Sequence, residues 1–79
     1  MDDVKNDLIN GEVIVVDSSV INAIWYEAES QVLFIKFDSG KTYAYYSVPL
    51  NIAVSAVIAP SVGRYFNFLI KGRYSYNLI

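Results

Sequence analysis

The stretch SVGRYFNFLIKGRYSY, residues 61–76, gathers the side chains best suited to chemistry in this chain: Arg64, Lys71 and Arg73 among the rings of Tyr65, Phe66, Phe68, Tyr74 and Tyr76. Ser61 is a suitable N-cap after Pro60, so Ser61, Val62 and Gly63 open a helix whose first backbone N–H groups lack partners and favour an anion. Arg64, Asn67 and Lys71 recur at three- and four-residue spacing on one side of that helix, and Arg73 follows it. The arginine fork suits phosphate. The competing reading is an ordinary solvated helix face.

Catalysis finds little footing. The chain has no histidine and no cysteine, so serine–histidine and thiol chemistry are closed, as are zinc sites of the usual ligand set. A carboxylate pair would come from the acids crowded into the first 29 residues, which read as solvated charge. No enzyme, no metal and no cofactor is expected.

Charge narrows the ligand. Residues 1–29 hold seven acids against Lys5, a balance of −6; residues 30–79 hold Asp38 against Lys36, Lys41, Arg64, Lys71 and Arg73, a balance of +4. A net charge of −2 suits a long polyanion poorly, because such binding grows with the number of phosphates neutralised. A ligand with two or three phosphates needs far fewer cations.

Positioning these residues falls to a small α+β fold. At 79 residues with no cysteine, one core is marginal and disulfides cannot supplement it. A hydrophobic share of 54% points to apolar surface buried between subunits, as a dimer or tetramer. The acidic start MDDVKND is unlike a signal peptide, and the longest apolar run, IAVSAVIA, is too short for a bilayer. A cytoplasmic protein with no membrane partner is expected, in the host cytoplasm if viral.

The pattern divides into an N-terminal extension, 1–16, with a possible short helix and a short strand at VIVV (13–16), and a domain over 17–79. VINAIWYEA (20–28) reads as a strand. The clearest unit is the hairpin VLFIKF-DSG-KTYAYYSV, whose glycine suits the left-handed end of a three-residue loop. That loop sets Phe37 opposite Lys41, Ile35 opposite Tyr43 and Leu33 opposite Tyr45. This register packs the rings of Tyr43 and Tyr45 in the core with hydroxyls at the rim, and stacking on nucleobases stays open beside it. Pro49 starts a helix, LNIAVSAVIA, apolar on most of its circumference; its Ile52, Val54, Val57 and Ile58 are the expected oligomer interface. After the Ser61–Gly72 helix, RYSYNLI returns as a last strand with Tyr74 and Tyr76 on one side. The expected fold is thus a small curved antiparallel sheet carrying two helices and closed by a C-terminal strand.

SSVINAIWYE, VLFIKFDSGKTYAYYSVP and APSVGRYFNFLIKGRYSY resemble the KTSC domain family, a small module also found at the C-terminus of some lysyl-tRNA synthetases. The matching residues are Ser18, Ser19, Tyr26, the run Phe37, Gly40, Tyr43, Tyr45, then Val48, Pro49, Ala59, Ser61, Gly63, Tyr65, Phe66, Asn67, Ile70 and Tyr74. Trp25 and Val62 depart from the pattern. The resemblance implies the fold, stand-alone occurrence in bacteria and phages, and RNA as one ligand class. It also assigns Tyr26 to the core, leaving Trp25 on the opposite face as an interface or stacking residue.

The expectation is a non-catalytic oligomeric binder of a small nucleotide-type anion, held by Ser61, Gly63, Arg64, Asn67, Lys71 and Arg73, with Trp25, Tyr43 and Tyr45 supplying rings. Symmetry would bring the cations of neighbouring subunits together. By analogy with viral anti-defence proteins, a phage version would act as a sponge for a cyclic nucleotide defence signal. RNA binding is the first alternative. The second is a protein-interaction module meeting its partner through Trp25 and the apolar helix.

Overall fold

The computed structural model describes residues 3–79. Eight elements follow one another: α1 (Val4–Ile9), β1 (Ile14–Val15), β2 (Ile21–Glu27), β3 (Val32–Phe37), β4 (Thr42–Tyr45), α2 (Leu50–Ile58), α3 (Val62–Leu69) and β5 (Tyr76–Leu78). The strands form one antiparallel sheet in the order β1-β2-β3-β4-β5, open at both ends rather than closed into a barrel.

The β3–β4 hairpin has the register expected from its loop: Leu33 pairs with Tyr45 and Ile35 with Tyr43, and the Phe37 N–H donates to the Lys41 carbonyl at 2.9 Å. Gly40 holds φ +93°, where a side chain would be strained. A register shift between Ile21 and Ala23 marks a bulge, which bends a strand.

Cross-strand partners share a face, so the pairing sorts the sheet. Ile24, Tyr26, Leu33, Ile35 and Tyr45 face the helices and join Ala53, Ala56, Val62, Phe66 and Ile70 in one buried cluster. Trp25 and Phe34 stack on the other face at 5.5 Å and 8°. Tyr26 is accordingly core, and its hydroxyl donates to the Val48 carbonyl at 2.5 Å. That bond pins the entry to α2.

The possible short helix of the N-terminal extension is present as α1; it packs against α2 and β2 and buries Leu8 completely. Two details depart from the sequence expectations. Pro49 is the N-cap of α2 rather than part of its first turn, with ψ 151°. The last strand begins at Tyr76, not Arg73, because Lys71, Gly72 and Arg73 are spent on the turn leaving α3, where Gly72 has φ +80°.

Candidate functional site

Strand alternation carries Lys41, Tyr43 and Tyr45 onto the helix side of the sheet. Pairing of Tyr45 with Tyr76 and of Tyr43 with Leu78 then adds the Tyr76 ring to that row. Helix α3 lies opposite, its Val62 and Phe66 buried by the spacing that puts i and i+4 on one face. Ser61 caps it, the hydroxyl accepting from the Arg64 N–H at 3.3 Å.

Between these elements lies a groove of about 620 Å³. Its floor is a cluster of rings. Phe66 meets Tyr45 at 5.4 Å and 74° and Phe37 at 5.4 Å and 71°. Tyr43 lies 5.7 Å from Tyr76, and Tyr45 lies 5.6 Å from the same ring at 34°. Lys41, Asn67 and Lys71 line the groove with one carboxylate, Asp38. Burial, then the neighbouring phenols of Tyr43 and Tyr76, push the Tyr45 hydroxyl up to about 12, so at neutral pH it stays protonated and can donate as well as accept. Tyr76, 56% exposed, offers much of its ring to whatever enters.

The anticipated ligand residues therefore separate into groups. Tyr43, Tyr45, Asn67 and Lys71 converge on the groove. Ser61, Gly63 and Arg64 line a neighbouring hollow of about 350 Å³ with Ser18; Asn67 and Val20 border both. Arg73 joins neither, its Nε donating to the Phe68 carbonyl at 3.1 Å. Trp25 lies on the far face of the sheet, against Phe34. Of the anticipated interface residues, Ile52, Val54 and Val57 are half-buried within the protomer, while Ile58 is exposed.

Lys41, Phe37, Asp38, Phe66 and Tyr76 were not among the expected ligand residues. The hairpin register carried the signal for Lys41, two positions from Tyr43 on the same face. For Tyr76 the deciding fact is that β5 pairs with β4, which strand patterning alone does not specify.

The arrangement can stack a planar group and neutralise a small negative charge. Among the described residues no cluster of histidine, cysteine or carboxylate side chains suits a metal, and no helix is long and apolar enough to cross a membrane.

The KTSC domain family model matches residues 17–74. A lysine–tRNA ligase of Nostoc sp. is 40% identical over 70 residues, which cover 89% of this chain and 12% of the ligase; the chain thus spans only a small part of that relative. A protein of Tsukamurella paurometabola is 39% identical over 59 residues, covering 75% of this chain and 88% of that protein. The crystal structure of a KTSC domain protein from Yersinia pestis superposes with a TM-score of 0.83 at 34% identity, covering 86% of this chain and 96% of the other.

Proposed function

The chain belongs to the KTSC domain family, and from that premise we propose that it is a non-catalytic, cytoplasmic binding module whose groove takes a small nucleotide-type anion. The observation that carries this reading is the convergence of five rings, Phe37, Tyr43, Tyr45, Phe66 and Tyr76, with Lys41 and Lys71 on one groove. Rings and a few convergent polar groups in a concavity of this size are what small-molecule sites consist of. Tyr76 is the stacking surface, since it is the most exposed ring of the cluster. Lys71 and Lys41 meet the phosphate, and Asn67 donates or accepts at the base or sugar. Two cations against Asp38 fit one or two phosphates rather than a long strand.

Isothermal titration against a panel of linear, cyclic and cyclic di-nucleotides tests this. One or more should bind, and Tyr76→Ala and Lys71→Ala should each weaken binding at least about tenfold, the scale of one stacked base or one charge-assisted bond. Arg73→Ala should leave it unchanged. A panel in which nothing binds overturns the reading.

A second reading has its own support: the Nostoc relative is a lysine–tRNA ligase, so the bound nucleotide belongs to a single-stranded RNA segment. In that case an RNA oligonucleotide outcompetes every free nucleotide, and its affinity falls steeply with salt.

A further inference from the structure

Strand β5 is one edge of the sheet, and its outward side is unpaired among the described residues. Which groups it presents follows from the hydrogen bonds to its inner neighbour. The Tyr46 N–H donates to the Ser75 carbonyl and the Ile79 N–H to the Thr42 carbonyl, both at 2.9 Å. Residues 75, 77 and 79 therefore turn their backbone groups inward, and by antiparallel alternation Tyr76 and Leu78 turn theirs outward. The large apolar side chains along this edge are exposed, Tyr76 at 56%, Leu78 at 55% and Ile79 at 64%, and alternate with the polar Ser75 and Asn77.

Natural edge strands are guarded by charge, proline, a bulge or a covering element, or are kept very short. At three residues β5 has brevity alone. Residues 74–79 contain no charged side chain and no proline, so two copies of this edge would meet without like-charge repulsion. The edge is also self-complementary. About a two-fold axis at Asn77, Tyr76 falls opposite Leu78 of the second copy and Leu78 opposite its Tyr76, and all four residues then present outward N–H and carbonyl groups to one another.

The geometry points to antiparallel pairing of β5 with β5 of a second copy, closing four backbone hydrogen bonds and making one ten-stranded sheet across the dimer. Cross-strand partners share a face, so Leu78 of the second copy sits beside Tyr76 on the groove side. Each groove thereby gains a wall from the other protomer. On the opposite face, Asn77 meets its own symmetry mate. The pairing rests on the edge and not on what the groove binds.

Because Asn77 faces itself, its charge variants probe this interface, and recombination of the two separates its loss from that of the bond within one chain in which the Asn77 Nδ2 donates to the Tyr46 hydroxyl at 3.1 Å. At roughly 100 µM, where even weak pairs populate, native mass spectrometry and sedimentation of the wild-type chain should show a dimer. Asn77→Asp and Asn77→Lys, each placing like charges directly opposite, should be monomeric while keeping the wild-type circular dichroism. An equimolar mixture of the two should restore a dimer of mixed mass, which an unfolded variant could not do. A wild-type monomer overturns the proposal. So does a dimer that survives in both single variants, or a mixture that fails to recombine. Nucleotide binding by a monomeric wild-type chain would leave the groove's function standing while removing the pairing.

Discussion

Tyr45 on β4 and Phe66 on α3 meet edge to face at 5.4 Å, and both are buried. The same two rings line the groove, so the floor of the candidate site is the outer layer of the core. Stability and binding are therefore coupled at some positions and separable at others.

Phe66→Ala should remove a nearly buried ring from between Phe37 and Tyr45 and cost about 3–5 kcal/mol, read from urea denaturation. Tyr76→Ala, at an exposed position, should cost no more than about 1 kcal/mol while losing the stacking surface. Equal destabilisation by the two changes would contradict this division between floor and wall.

The hydrogen bond from Tyr26 to the Val48 carbonyl makes a second, independent forecast. Val48 is fully buried, so Tyr26→Phe leaves a carbonyl without its donor where water does not reach. The expected loss is about 1–2 kcal/mol with the fold retained. An unchanged denaturation midpoint would show that the carbonyl finds another partner.

How far the chain announced all this depends on the range over which each feature is determined. The hairpin was legible because loop length and Gly40 fix its register locally, and Leu33–Tyr45 pairing follows from that alone. The α3 cap was legible from Ser61 following Pro60, and its hydroxyl accepts from the Arg64 N–H. The groove was only half legible. Its floor follows from the hairpin register, but its wall needs the Tyr45–Tyr76 pairing, which joins residues 31 positions apart in the sequence. The diversion of Arg73 to the Phe68 carbonyl hides in the same way, since it depends on the turn at Gly72. Basic residues adjacent in sequence were thus parted by one turn, while Lys41, far away in the chain, joined the site.

That separation of cations yields a third expectation. Lys71→Ala should lower affinity for a nucleotide and flatten the dependence of log affinity on log salt by about one unit. Arg73→Ala should change neither, and should cost stability by no more than about 1 kcal/mol through its lost bond to Phe68. Titrations at two salt concentrations decide between them. A salt slope altered by Arg73→Ala and not by Lys71→Ala would place the anion elsewhere.

The alkaline limb of the stability curve follows from Tyr45. Its hydroxyl is held up to about 12 by burial, then by the phenols of Tyr43 and Tyr76, against an ordinary value of about 10 in the unfolded chain. The neutral phenol is thus favoured by folding. Below pH ~10 both states keep the proton and the contribution is fully present. Between about 10 and 12 the unfolded chain ionises while the folded one does not, so the unfolded state binds fewer protons and stability falls as pH rises. By the top of that window about 2–3 kcal/mol is lost. Tyr26, also raised by burial, adds to the fall in the same direction. Tyr45→Phe has no proton to lose there. Denaturation midpoints at pH ~8.5 and ~11.5 should therefore separate more widely for wild type than for Tyr45→Phe. Equal separations would mean that the Tyr45 phenol ionises as readily in the folded protein as in the unfolded chain, which a ring packed under Phe66 and Tyr76 should prevent.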